Sequence, residues 1–129
     1  MLKYLLVIKM IYLIMGGPAT GKGTRSDFLS EAINIPHIST GDLLREKSKT
    51  DESMAEKLSK GELISDEIIT SLLEERITKP DCEKGFILDG YPRTLNQVYL
   101  LNELLEKLNR SITKVIELTA PDELVFKRI

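Results

Sequence analysis

The sequence has one cysteine, one histidine, almost balanced charge and no apolar run long enough to span a bilayer. The single thiol, Cys82, closes no internal disulfide, which points to a reducing, cytoplasmic compartment. One cysteine and one histidine exclude a zinc site built from His and Cys within the chain. With 18 Lys+Arg against 20 Asp+Glu the formal net charge is −2. That balance argues against general nucleic-acid binding, though it leaves room for a local basic pocket. Met1 to Met15 is mostly apolar, but Lys3 and Lys9 interrupt it and it falls short of the ~20 residues of a membrane span. No small-residue cleavage site follows it, so it does not read as a signal peptide.

What is present suits one α/β domain. The 129 residues are 42% hydrophobic and 29% charged, enough apolar material for a core and too much for disorder. Met10-Ile11-Tyr12-Leu13-Ile14-Met15 ends at Gly16-Gly17-Pro18 and reads as a strand buried on both faces of a parallel sheet. Residues 1–9 then form an extension, or Met10 is the true start. A helix runs from within the glycine-rich loop through Ala32, with Phe28, Leu29 and Ile33 on one side. Ile35 to Ile38 is extended, Ile35 being held out of the helical region by Pro36. Gly41 to Lys49 and Glu52 to Lys60 are polar helices, the second stopped by Gly61. Ser65 caps the next helix, with Asp66 and Glu67 favoured in its first turn by the helix dipole and Ile68, Ile69, Leu72, Leu73 and Ile77 along one face. Phe86-Ile87-Leu88 is a short buried strand. Leu95, Val98, Leu101, Leu104, Leu105 and Leu108 mark a further amphipathic helix. Val115 to Leu118 is a strand, and Pro121 opens a last helix. Alternating strands and helices predict a doubly wound α/β domain with a mainly parallel sheet.

Three segments carry chemistry. Gly16-Gly17-Pro18-Ala19-Thr20-Gly21-Lys22-Gly23-Thr24 joins a buried strand to a helix. Its glycines let successive N–H groups turn inward on an anion, the helix start adds positive potential, and Lys22 reaches the outer phosphates of a nucleotide. Because Gly23 separates Lys22 from the Thr24 hydroxyl, Mg²⁺ is expected to be held largely through water. Ser39-Thr40-Gly41-Asp42-Leu43-Leu44-Arg45 follows the second strand, and Asp89-Gly90-Tyr91-Pro92-Arg93-Thr94, with Gln97 beyond it, follows the third. Ligands gather at the carboxyl ends of such strands, so the three segments are expected to face one crevice. There Arg45 and Arg93 can clamp a second phosphate, and Asp89 can order the waters of Mg²⁺. Plainer readings stand beside these. Arg45 can be a surface charge, Thr94 with Gln97 a capping box, and Asp89-Gly90 a simple turn.

From Met10 to Ile129 the sequence resembles the adenylate kinases. The family pattern G-x-P-G-x-G-K-G-T is matched by Gly16–Thr24 except at Ala19, S-T-G-D-[LM]-L-R by Ser39–Arg45, and D-G-[FY]-P-R-T followed by Gln by Asp89–Thr94 with Gln97. The resemblance implies a P-loop nucleoside triphosphate hydrolase-like sheet with a small helical AMP-binding arm at about 39–76, inserted in a kinase core over 10–129. It implies that Ala19, Thr20, Gly21, Lys22, Gly23 and Thr24 hold ATP. Pro121-Asp122-Glu123-Leu124 likewise implies that Arg128 packs against ATP. AMP would be bound by Thr40, Arg45, Glu62, Leu63, Ile64, Gly90, Tyr91, Pro92, Arg93 and Gln97. Lys22, Arg45, Arg93, Asp89 and Arg128 would act in catalysis, with Mg²⁺ held by Asp89 through water. The implied reaction is reversible phosphoryl transfer from ATP to AMP, giving two ADP. A pyrimidine nucleoside monophosphate kinase and a non-catalytic, lidless nucleotide-binding relative are the alternatives.

Two departures from the pattern are local: Ala19 replaces a loop glycine, and the arm between Arg45 and Gly61 is a few residues short. A third is large, since family members continue past Ile129 into a lid, further arginines and a closing helix and strand. The core is therefore expected to be incomplete and this chain nearly inactive alone. Its four strands are expected in the family order 2-3-1-4-5 without the fifth, leaving Val115–Leu118 at an edge. A full-length form is expected to be monomeric, and this chain to self-associate through that edge.

Overall fold

The computed structural model describes residues 10–16 and 22–118. The first strand, β1 (Met10–Gly16), lies near the middle of a four-stranded sheet. The other strands are β2 (His37–Ser39), β3 (Gly85–Asp89) and β4 (Lys114–Leu118), in the order β2-β3-β1-β4. Every pairing is parallel, as the alternation of strands and helices predicts. Among the described residues β4 is an edge strand, and its Val115 is 57% exposed. The expected helix at Pro121 lies outside the described residues.

Register explains the core. Ile11 pairs with Phe86 and Leu13 with Leu88, so these four side chains share one face of the sheet. They pack with Leu73, Ile77, Tyr91, Leu101, Leu104 and Leu105. The alternate residues, Ile14 and Ile87, look the other way and meet Ile35, with Leu29 and Ile33 against them. All five residues of β3 are buried, as the apolar run 86–88 requires of a strand covered on both faces. Each large aliphatic side chain so buried stabilises by about 1.5–3 kcal/mol. The register also sets a close approach, because a Cβ on Gly85 (φ +146°) would stand 1.9 Å from the carbonyl oxygen of Met10.

The helices are α1 (Lys22–Ile33), α2 (Thr40–Ser48), α3 (Glu52–Ser59), α4 (Asp66–Ile77) and α5 (Leu95–Lys107). α3 ends at Gly61 (φ +72°), where the Glu62 N–H closes back on the Lys57 carbonyl, so the expected stop is found. The Ser65 side chain accepts from the Ile68 N–H, as the expected cap of α4. Four apolar residues expected on buried helix faces are exposed. Phe28 is 74% exposed, Leu95 67%, Ile68 37% and Val98 36%. In each helix the buried stripe runs one or two positions away from them. Ser26, Leu29 and Ile33 face the sheet in α1, Ile69, Leu73 and Ile77 the core in α4, and Gln97, Leu101, Leu104 and Leu105 the core in α5.

A 3₁₀ turn at Pro80–Cys82 leads into β3. Arg76 grips Asp81 with both terminal nitrogens, at 2.8 and 2.9 Å, and donates to Cys82 Sγ at 3.2 Å. Burial pushes the Cys82 thiol up to about 11, despite the nearby Arg76 charge. Cys82 is therefore expected to resist iodoacetamide in the folded chain at pH 8 and to react only in denaturant, as alkylation followed by mass spectrometry would show.

Candidate nucleotide-binding site

Because the strands are parallel, their carboxyl ends lie together. Register makes the coincidence closer, for Asp89 pairs with Ile14 on one side and Ser39 on the other. The end of β3 is thus held between the end of β2, which runs straight into α2, and β1, which ends two residues further on at Gly16. The three segments singled out in the sequence leave the sheet at one level. Residues 17–21, with Ala19, Thr20 and Gly21, and Arg128 lie outside the described residues. Lys22, Gly23 and Thr24 form the first turn of α1.

Asp89 is 7% exposed. Its Oδ2 lies 2.8 Å from His37 Nε2, and His37 Nδ1 lies 2.7 Å from Asp27 Oδ1 on α1. One imidazole, on the first residue of β2, therefore joins the end of β3 to the helix that follows the glycine-rich loop. Sequence reading placed His37 in a strand and gave it no role. Its being the chain's single histidine, two residues before the end of β2, was the available signal.

The two arginines rest on glycines. A Cβ on Gly41 would stand 3.3 Å from Arg45 Nη1, and one on Gly90 would stand 3.0 Å from Arg93 Nη2. Each guanidinium lies over the glycine that precedes it by three or four residues. Arg45 also pairs with Asp42 on its own helix, and both side chains are exposed. Gly90 has φ +76°, and the Tyr91-Pro92 bond after it is cis. The Tyr91 side chain is 1% exposed, with its hydroxyl 2.8 Å from the Thr70 hydroxyl, so it anchors the segment in the core. Thr40 and Ile64 are half-buried, Glu62 is exposed, and Leu63 is 96% exposed.

Gln97 meets one half of the capping-box reading and departs from the other. The Thr94 side chain accepts from the Gln97 N–H at 3.2 Å, as a cap does. The reciprocal half of a capping box would return the Gln97 amide to the Thr94 N–H. It accepts instead from the Arg93 N–H at 2.7 Å and donates to Asp66 at 2.8 Å. Asp66, read in the sequence only as a first-turn acid, thereby ties α4 to the segment after β3.

Among the described residues no group of three or more His, Cys, Asp and Glu side chains is arranged to hold a metal ion. No helix among them is long and apolar enough to cross a membrane.

A family model described as adenylate kinase matches residues 14–129. The chain is 47% identical over 124 residues to an adenylate kinase of Archaeoglobus fulgidus, covering 93% of this chain and 57% of that one. It is 42% identical over 124 residues to an adenylate kinase of Caldicellulosiruptor bescii and 44% to one of Thermosipho melanesiensis, covering 93% of this chain and 58% of each. The chain thus spans a little under three fifths of the length of these curated relatives.

Proposed function

The chain belongs to the adenylate kinase family, and from that premise we propose that a protein of its relatives' full length transfers a phosphoryl group reversibly from ATP to AMP. The observation that carries the reading is the levelled register of Ile14, Ser39 and Asp89, which supports one crevice for the three motif segments. In it the loop 19–24, with Lys22, holds the phosphates of ATP, and Arg128 packs against the same nucleotide. Arg45 and Arg93 take the AMP phosphate. Thr40, Glu62, Leu63, Ile64, the backbone of Gly90 to Arg93, and Gln97 form the rest of the AMP site, on an arm spanning about 39–76.

Phosphoryl transfer asks little covalent chemistry of a protein. It needs two nucleotides in line and the charge of the moving group spread over fixed donors. The attacking oxygen of AMP is already ionised, so no general base is required. Asp89, a carboxylate at a strand end and hydrogen-bonded to His37, suits Mg²⁺ held through water. When bound, that ion neutralises charge on the donor phosphates. A cytoplasmic location fits the buried thiol of Cys82.

The test is a coupled assay of ADP formation by the full-length protein with AMP, CMP, UMP and GMP as acceptors. AMP is expected to be preferred, and Lys22→Ala to remove most of the activity without lowering the melting temperature. Preference for another acceptor would sink the substrate assignment, and preference for CMP or UMP would favour a pyrimidine kinase.

A further inference from the structure

The carboxamide of Gln97 is held from both sides. Asp66 Oδ1 accepts from Gln97 Nε2 at 2.8 Å, and Asp66 Oδ2 accepts from Asn96 Nδ2 at 2.9 Å. Across the same carboxamide, Gln97 Oε1 accepts from the Arg93 N–H at 2.7 Å. A primary amide turned over about its last torsion has nearly the same shape, so only its neighbours decide which end is oxygen. Here the two neighbours agree. A carboxylate only accepts and a backbone N–H only donates. Turned over, the amide would set oxygen against carboxylate and N–H against N–H. Gln97 is 9% exposed, so water does not readily make good that loss. The hydrogen bonds from Asn96 and Gln97 also hold the Asp66 carboxyl below the ordinary aspartate range, which keeps it an acceptor at neutral pH.

Each end of the amide keeps one valence: a second N–H on Nε2 and a second lone pair on Oε1. We infer that Asp66 is a specificity-determining positioning residue, which fixes the order of that remaining donor and acceptor so that Gln97 selects an amino-bearing base over an oxo-bearing one. The inference rests on the reading above that Gln97 faces the base of AMP. Adenine presents an amino donor beside a ring-nitrogen acceptor. Hypoxanthine presents a carbonyl acceptor beside a ring N–H, the reverse order on the same purine frame. A freely turning Gln97 would serve both, and a fixed one serves adenine. Cytosine offers the same order as adenine on a smaller ring. The device therefore separates amino from oxo bases, and other contacts must set ring size.

Calorimetric titration of the chain with AMP and with IMP tests this, using wild type, Asp66→Ala and Asp66→Asn. Wild type is expected to prefer AMP by about tenfold or more, the order of discrimination a buried polar mismatch gives. Asp66→Ala is expected to bring the two affinities within about threefold, AMP weakening and IMP gaining. Asp66→Asn is expected to keep the preference, since its side-chain oxygen can still accept from Gln97 Nε2. Should Asp66→Ala fail to fold, Asp66→Ser takes its place, because its hydroxyl ends short of Gln97 and serine is tolerated in a first turn. A preference that survives in the Ala or Ser variant, or equal losses for both nucleotides, overturns the inference and leaves the reading of Gln97 standing. A wild-type chain that binds neither nucleotide, or does not prefer AMP, refutes the reading of Gln97 and the inference with it.

Discussion

Arg93→Ala is expected to lower phosphoryl transfer by the full-length protein by about 10³-fold, at the low end of what one arginine contributes at such a site. The reason is local. Arg93 is exposed over Gly90 at the carboxyl end of β3, and among the described residues its charge has no buried partner. Its backbone N–H, which meets Gln97, survives the substitution. AMP binding is expected to weaken by about 1.5–3 kcal/mol, the range for hydrogen bonds to a charged group, and ATP binding by much less. The melting temperature should stay near that of wild type, as for most surface substitutions. Separate calorimetric titrations with AMP and ATP decide the matter. Equal losses for both would mean that Arg93 does not belong to the acceptor side.

Gly85→Ala is expected to destabilise the fold severely. The new Cβ would stand 1.9 Å from the Met10 carbonyl oxygen and 2.7 Å from its carbonyl carbon, backbone atoms that cannot rotate aside. Gly85 also sits at φ +146°, where side chains are strained. Relief requires β1 and β3 to part where they begin to pair, and that pairing carries both faces of the core. A loss of more than about 4 kcal/mol follows, a large share of a small domain's total stability. Urea unfolding followed by circular dichroism would measure it. Gly23→Ala is the control, since nothing among the described residues lies within 4 Å of its added Cβ. In a helix it should leave stability unchanged or raise it by up to about 1 kcal/mol. A Gly85→Ala chain that unfolds near the wild-type midpoint would show that the two strands can shift apart cheaply.

Much of this was legible in the sequence, for reasons of period and punctuation. The apolar runs at 10–15 and 86–88 carried the strands, and Gly61, Ser65 and Thr94 marked helix ends by chemistry that acts within a few residues. Strand order was legible through the family resemblance, not through any local pattern. Long-range partners were not legible. His37 meets Asp89 across 52 positions and Gln97 meets Asp66 across 31, and spacing along the chain says nothing about such pairs. Phe28, Ile68, Leu95 and Val98 misled for another reason. Apolar residues beside a true buried stripe widen its apparent face, and only packing shows where the stripe ends.

The place of β1 in the sheet bears on how the chain comes off the ribosome. β1 does not pair with β2, the strand that follows it in the sequence; its neighbours are β3 and β4. Met10 meets its first strand partner at Gly85, and Ile14 at Asp89. At roughly 5–20 residues per second, the apolar face and open edge of β1 wait several seconds for that partner. Helices α1 to α4 can form during the interval, yet the proposed crevice cannot, because Asp89 arrives with the last residue of β3. Nascent chains that stop short of Asp89 therefore present a strand without a sheet, the state most open to capture by chaperones or by other chains.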